Sequence, residues 1–507
     1  LSQASLRRRE IAVRQVLGAT RTRIVRQLLT ESIVLSVAGA ALGVLLAPVP
    51  LRMMRALQPK LLSGVAPAEL NVRVLAFAVV VALATGILFG LWPAFRFSRE
   101  DHSASIKSGG GHGSTSGSSG RIRRLLVSAE LALTVMLLIG SGLMLRSFNV
   151  LMQRDRGLVS THVGSLEMTV AATASNRSDR LQKLNEILSR LSAMPGVQSA
   201  GAVNDLPLNG LSGISVNVNV PGAPPPEKGR MRFARYLFAT RDYFPTMGIS
   251  LVRGRLFSST DDSLSLTTAL ISQKMASEYW PGSDPIGRSF KLGPQEVTVI
   301  GIVSDVRESK LENEAGPQMY LHILQSAPSR FSIVARGALP ERALLANMTN
   351  AVRSVDKSQA VYSVRMMDDV INAYVAPRRA NTMLISAFAL LALILASVGV
   401  FAVVAHGVSH RSRELGIRSA LGATGASLVT MLASEMVLVT VAGIVVGLGG
   451  AWALAKTLES LVYGVQVHDT MTFVLVPVAL LLPTVVATLI PARRALRVNP
   501  SEVMRAD

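Results

Sequence analysis

The residues able to do chemistry gather at the ends of long apolar runs. Arg9-Glu10-Ile11-Ala12-Val13-Arg14-Gln15-Val16-Leu17-Gly18-Ala19-Thr20 recurs as Arg413-Glu414-Leu415-Gly416-Ile417-Arg418-Ser419-Ala420-Leu421-Gly422-Ala423-Thr424. Arg and Glu at this spacing share one helix face, with apolar residues on another. Such a face can form charge-assisted hydrogen bonds with a partner, while Leu17 and Leu421 fill an apolar pocket. Leu-Gly-Ala-Thr then ends or kinks the helix. The ordinary reading is a basic anchor at the membrane surface. An anchor needs only basic residues, so recurrence of the same residues in the same register favours docking, with Gly18 and Gly422 closing each copy.

Three carboxylates, Glu31, Glu130 and Glu435, fall in the first turns of apolar runs. Intramembrane acids raise the possibility of a proton relay. Their place near a helix end favours pairing with neighbouring Arg instead. His406 and His410 have the spacing of two metal ligands on one helix face. No Glu-x-x partner accompanies them, and a helix C-terminus suits His on its own. No metal or cofactor is expected. Asp261-Asp262 reads as a solvated turn and Trp280 as a packing residue. No Gly-x-x-x-x-Gly-Lys-(Ser/Thr) loop occurs, so ATP, if used, is hydrolysed on another polypeptide. The chain is not expected to be an enzyme by itself.

Composition places these residues. The chain has 507 residues, 49% hydrophobic and 17% charged, with mean hydropathy +0.40. That is too apolar for an ordinary soluble protein. The net charge of +20 lies beside apolar runs, which argues for a membrane rather than a nucleic acid. Cysteine is absent, which excludes disulfides and thiolate metal sites.

Six segments suit spanning helices of about 20 residues: 27–50, 72–95, 125–145, 383–406, 428–455 and 471–490. Arg clusters precede the first span, separate the second from the third and the fourth from the fifth, and follow the sixth. All four fall on one side, which is cytoplasmic by charge. Residues 108–120 read as a Gly/Ser linker on that side. Residues 150–380 then lie outside. They read as mixed α/β, with strands at Val163–Val170, Val197–Val203, Val297–Val303, Ser332–Ala335 and Val361–Val364. Leu181, Leu184, Leu188 and Leu191 mark one helix, and another lies near 340–354. Strand–helix–strand units thus stand at both ends, around an irregular insert.

The repeat continues into the membrane. Glu31 matches Glu435, Val37-Ala38-Gly39 matches Val441-Ala442-Gly443, and Gly43 matches Gly447. Pro93-Ala94 echoes Pro491-Ala492. Two copies of one membrane module are present, a common plan in transporters.

The Arg-Glu-(Ile/Leu)-x-(Ile/Val)-Arg-x-x-Leu-Gly-Ala motif resembles that of the FtsX-like permeases, membrane subunits of MacB-type ABC transporters. Met194-Pro195-Gly196-Val197, Asp242-Tyr243-Phe244, Gly248-Ile249, Arg253-Gly254-Arg255, Trp280-Pro281-Gly282, Asp284-Pro285-Ile286-Gly287 and Asn499-Pro500 extend the resemblance over nearly the whole chain. The doubling is similar to the duplicated orphan permeases of acidobacteria, in which each copy has one span, a periplasmic domain and three more spans.

The resemblance implies a bacterial inner-membrane permease whose residues 150–380 form a periplasmic domain of MacB core type. The first module would occupy 1–107 and lack its first span and outer domain; 121–148 would be the first span of the second module, completed by 383–507. The repeated motifs, about 9–20 and 411–424, would be coupling helices for a cytoplasmic ATPase. The function implied is export or efflux of an envelope substrate, with a periplasmic adaptor as a further partner and no nucleic acid. Non-transporting signalling by the same motion fits the sequence equally. A membrane-anchored sensor or adhesion module is a third class, against which the paired docking motifs argue.

Overall fold

A computed structural model describes residues 20–48, 71–99, 116–169, 177–209, 213–222, 231–258, 261, 267–308, 311–325, 328–410, 418, 421, 423–459 and 462–495. It divides into two units. One comprises Leu1–Pro59, Ala66–Arg146 and Asn381–Asp507, the other Lys60–Val65 and Ser147–Ala380.

Among the described residues, the first three helices are α1 (Arg21–Leu46), α2 (Val72–Arg99) and α3 (Ser116–Gln153). Residues 116–120, expected in the linker, are already helical. A helix once nucleated extends at about 1 kcal/mol per glycine relative to alanine, too little to stop it there.

The outer unit follows. Its elements are β1 (Val163–Thr169), α4 (Arg177–Ser192), β2 (Val197–Val203), β3 (Ser215–Asn217), β4 (Phe233–Ala239), α5 (Tyr243–Met247), β5 (Leu251–Gly254), β6 (Thr268–Ser272), α6 (Gln273–Tyr279), β7 (Ser289–Leu292), β8 (Gln295–Val303), β9 (Gln318–His322), β10 (Arg330–Gly337), α7 (Glu341–Val355) and β11 (Val361–Met366). The strands form one sheet in the order β11-β1-β10-β2-β4-β9-β6-β8-β5, with β3 on β4 and β7 on β8.

Its first four strands come from β1-α4-β2 and β10-α7-β11, a split pair of βαβ units. Leu166 faces Ile333 across β1 and β10, and Ile333 faces Ala202 across β10 and β2. Helices α4 and α7 cover this half. Leu184, Ile187 and Leu191 of α4 are buried, as are Leu344, Met348, Ala351 and Val352 of α7. Each large side chain so buried contributes about 1.5–3 kcal/mol. The insert between the units extends the same sheet through the Val203–Ala239 pairing of β2 and β4.

Among the described residues, three more helices follow, α8 (Met367–His410), α9 (Gly425–Leu458) and α10 (Thr470–Ala495). Strand β11 passes into α8 with no intervening loop, so that helix begins well before the expected span at 383.

Among the described residues, five helical stretches are long and apolar enough to cross a bilayer: Val25–Leu46, Arg123–Gln153, Met367–Val408, Met436–Thr457 and Thr470–Ile490. Helix α2 supplies a shorter apolar stretch, Val72–Leu88, within its 28 residues.

Helix α3 is the hub of the membrane bundle. Its Val127, Leu131, Val135, Ile139 and Leu143 share one core with Ala396, Val400 and Val404 of α8, Met436, Val439 and Ala451 of α9, and Leu480 and Ala487 of α10. Small residues bring the backbones together, the main source of cohesion where no water drives association. A Cβ on Gly443 would lie 2.7 Å from Leu131 Cβ, and one on Gly447 2.8 Å from the Ala132 carbonyl. Ser141 and Ser386 share a hydrogen bond of 2.9 Å between α3 and α8.

Candidate functional site

Each copy of the repeated motif ends in a threonine that precedes a membrane helix with the same backbone conformation. Thr20 precedes α1 at φ −65°, ψ 148°, and Thr424 precedes α9 at φ −69°, ψ 147°. Thr424 accepts the Ser427 N–H, whereas Thr20 Oγ1 lies 3.2 Å from Thr22 Oγ1. Both are in the extended conformation of a helix N-cap. Arg418 is exposed, with Nη1 3.3 Å from Met431 Sδ. Leu421 is 82% exposed, a large apolar side chain left uncovered. Arg9, Glu10, Arg14, Leu17, Gly18, Arg413, Glu414 and Gly422 lie outside the described residues.

The three acids do not share one environment. Glu31, half-buried in α1, accepts from Gln27 Nε2 at 3.3 Å. Glu130, half-buried in α3, lies against α8 at Gly399, where an added Cβ would sit 2.6 Å from Oε2. Glu435 lies in α9, and its side chain is outside the described set.

The residues that tie the outer unit to its two long helices were not singled out by sequence. Residues 304–308 and 311–314 act as a strap. The Arg307 N–H donates to the Arg156 carbonyl at 3.1 Å, and its Nε to the Asp155 carbonyl at 2.9 Å. Arg154 Nη1 donates to the Glu312 carbonyl at 3.3 Å, so the strap holds the end of α3. The Glu312 carboxylate accepts from Tyr374 Oη at 3.4 Å and pairs with Arg378. Tyr374 and Arg378 flank Pro377, which lies inside α8. Proline has no N–H to give the Ala373 carbonyl and is a site of kinking. Glu312 therefore buttresses the weak point of α8 from both sides. The signal available in sequence was that proline, set between Tyr374 and Arg378.

The strap also reaches the core. Arg235 Nη2 is 2.8 Å from Asp205, and Nε is 3.6 Å from Glu308 Oε2. The Leu208 N–H donates to the Glu308 carbonyl at 2.8 Å. Burial pushes the Glu308 carboxyl up to about 7 against the pull of Arg235, and Asp205 adds to the rise. Burial likewise raises Asp205.

Other motif residues are scaffold. Asp261 is a correction to the solvated-turn expectation. It is buried and takes both Arg255 nitrogens at 2.6 and 3.0 Å, with the Ser258 N–H at 2.8 Å. Arg255 and Ser258 together hold it down to about 2. Arg253 pairs with Asp284 at 2.5 Å, joining two of the quoted motifs. Trp280 packs edge-on to Phe290, with ring centroids 6.2 Å apart.

The FtsX-like permease C-terminal family matches residues 1–101 and 386–500, and the MacB-like periplasmic core domain matches 131–361. The chain belongs to the FtsX-like permeases of MacB type. The permease is 27% identical over 278 residues to the macrolide export ATP-binding/permease protein MacB 2 of Aeromonas hydrophila, covering 52% of this chain and 42% of that protein. It is 25% identical over 284 residues to the uncharacterized ABC transporter permease YknZ of Bacillus subtilis, covering 52% and 68% respectively. The periplasmic region of MacB from Actinobacillus actinomycetemcomitans aligns with 44% of this chain and 95% of its own, at 16% identity and a TM-score of 0.30. The permease thus spans about two fifths of the length of the Aeromonas relative it matches. One permease family at both ends establishes the internal repeat. The protein is a multi-pass inner-membrane protein with a periplasmic domain.

Proposed function

We propose that this permease couples ATP hydrolysis by a separate cytoplasmic ATPase to motion of the periplasmic domain, driving export or efflux of an envelope substrate. The observation that carries the reading is continuity of the two long helices. Helix α8 has 44 residues and α3 has 38, about 66 and 57 Å at 1.5 Å per residue. A bilayer core takes about 30 Å, so both helices have length to spare beyond it. Helix α8 follows β11 with no intervening loop. A push at the cytoplasmic end is delivered to the sheet edge.

The repeated motif supplies the place to push. An ATPase dimer has two equivalent faces, and two similar motifs answer them. Exposed Arg418 and Leu421 supply the kind of charged and apolar contacts that interface anchors make. Transport of a macrolide is a property named for MacB relatives and supports the export reading here only through family.

The test reverses charge in both copies: Glu10→Lys with Arg14→Glu, and Glu414→Lys with Arg418→Glu. Association with the ATPase and stimulated turnover are expected to fall at least about tenfold, the loss of one to two charge-assisted contacts per copy, with membrane insertion unchanged. Equal changes at Arg493 and Arg494 are expected to cost less. Undiminished association and turnover in the doubly altered chain would leave the motifs as interfacial anchors.

A further inference from the structure

Glu308 lies where the strap crosses the buried charges of the outer unit, and the charges there do not balance. The Glu308 side chain is 2% exposed, and Arg235 and Asp205 beside it are 8% and 12% exposed. Two acids share one guanidinium. Asp205 holds the better place, with Arg235 Nη2 donating at 2.8 Å and the Asn209 amide at 2.7 Å. Glu308 is left with Arg235 Nε at 3.6 Å. Tyr320 Oη lies 3.4 Å from its Oε1, but the single phenol hydrogen is contested by Gln318 Oε1 at 3.2 Å. Oε2 makes no hydrogen bond, and neither does the hydroxyl of Tyr243, which is fully buried. Arg235 of β4, Asp205 beyond β2, Tyr320 of β9 and Tyr243 of α5 are thus the groups that face the carboxyl. Arg330 of β10 and Glu167 of β1 act on it only through Asp205. On the strap itself, Asp305 turns to the Lys274 N–H at 2.8 Å, and Arg307 turns to the Asp155 and Asn313 carbonyls.

We propose that Glu308 makes the strap a pH-sensitive latch on the end of α3, shut while the carboxyl is neutral and released when it ionises. A buried carboxylate with one distant cation and an oxygen without a donor has lost water and gained little in return. It regains donors by turning toward solvent, and the strap must lift for it to do so. Arg307 is the next residue, so its bonds to the Asp155 and Arg156 carbonyls open with it. While Glu308 is neutral, Val306 and Leu311, both fully buried, keep the strap seated. The direction follows from the proton. Burial lifts the shut-form carboxyl to about 7 from an ordinary 4.5, so the shut form binds the extra proton between these values. The latch is tightest below about pH 4.5, loosens as the pH rises, and is loosest from about pH 7 upward. A domain outside the cytoplasmic membrane meets the pH of its surroundings. The inference is independent of the ATPase reading, and its test uses no nucleotide.

The full chain in phospholipid nanodiscs is followed by amide hydrogen exchange from about pH 4 to about pH 8, corrected for the intrinsic pH dependence of exchange. The reporters are the Leu208 amide, which donates to the Glu308 carbonyl, and the Arg307 amide, which donates to the Arg156 carbonyl. Their protection is expected to fall by up to about tenfold per pH unit until about pH 7, then to level off. The amides of Ile333 and Val334, in β10 between β1 and β2, should stay better protected at every pH. Glu308→Gln should abolish the fall at Leu208 and Arg307. Asp205→Asn leaves Arg235 to Glu308 alone and should move the fall to lower pH, which decides the matter even where the Gln variant does not fold. Four results would overturn the proposal: protection at Arg307 that is level across the range; a fall that persists in Glu308→Gln, which assigns the proton to another group; a fall that Asp205→Asn leaves in place; or Arg307 exchanging in step with Ile333 and Val334, which means that ionisation unfolds the unit rather than freeing the strap.

Discussion

The two membrane modules begin alike and differ in company. Each opens with an extended threonine, runs into a glycine-bearing helix and returns through a second apolar helix. Helices α1 and α2 meet each other closely, with a Cβ on Gly86 placed 2.6 Å from Ser36 Oγ. Helices α9 and α10 meet each other and also α3. The difference teaches that such a helix pair is specified locally, whereas which face is buried is decided by the third helix. It also separates helices of crossing length from helices that continue. Helices α1 and α2 have 26 and 28 residues, close to what a bilayer needs; α3 and α8 run on into the outer unit.

The largest expected effect breaks the contrast at one glycine. Gly447→Leu drives a side chain into Val135 and the Ala132 backbone, and overpacking of this kind costs about 3 kcal/mol or more. Gly43→Leu, its counterpart, enters open space and should change stability by less than about 0.5 kcal/mol. The check is the midpoint of unfolding by SDS in mixed micelles, variant against parent. Equal losses at the two positions would mean that the α1 face is occupied within this chain.

Much of this architecture is legible in the amino-acid pattern. Long apolar runs mark spanning helices because the backbone must satisfy itself in lipid, and strands β1, β2 and β8 fall close to where Val-rich runs place them. Split βαβ units around an insert are visible in the order of helix and strand patterns. The start of α8 is not, because residues 367–380 are too polar for a span and too short in period to announce a continuous helix. The strap is invisible for a different reason. Glu312, Arg378, Tyr374 and Arg154 come from three separate stretches, and nothing in their local sequence distinguishes them from surface residues. Asp261 is misread because an Asp-Asp pair signals a turn, while Arg255, six residues earlier, is a surface arginine until the turn folds it back.

The outer unit, unlike the membrane modules, carries a pH-sensitive cluster among its described residues. Among the described residues, the Arg235–Asp205–Glu308 cluster belongs to the outer unit joined to the long helices. Glu308 has a folded pKa of about 7 against an ordinary 4.5. Below about pH 4.5 it is protonated in both states and neutral burial costs little. Between 4.5 and 7 the folded form binds the extra proton, so stability falls as the pH rises, by at most about 3 kcal/mol in total. Asp261 acts in the opposite sense: its stabilisation is full above 3.8 and is lost as the pH falls through about 2. Glu308→Gln should flatten the decline between pH 4.5 and 7, read as amide-exchange protection in β4 and β8, and leave α1 and α2 unaffected. An unchanged slope in the Gln variant would remove Glu308 as its source.

A modest effect on stability is expected to accompany an effect on coupling at the Glu312 clasp. The Glu312 clasp is partly exposed, with its carboxylate at 23% and Arg378 at 27%, so solvent screens the pair and its loss costs about 1 kcal/mol. It nevertheless spans the position where Pro377 removes a backbone hydrogen bond from the interior of α8. With Glu312→Gln, the neutral amide keeps a contact to Tyr374 and loses the ion pair; with Glu312→Ala, both go. Amide exchange over residues 373–380 is expected to quicken severalfold in the Ala variant, as a local opening made easier by about 1 kcal/mol requires, and less in the Gln variant. Pro377→Ala should act the other way, restoring the donor to the Ala373 carbonyl and slowing exchange in either background. If the clasp stiffens the path from membrane to sheet, ATPase-driven motion of the outer domain should weaken in Glu312→Ala and recover with Pro377→Ala added. Exchange that ignores both substitutions would show that α8 is held straight by the rest of its packing, and the strap would then be a tether rather than a buttress.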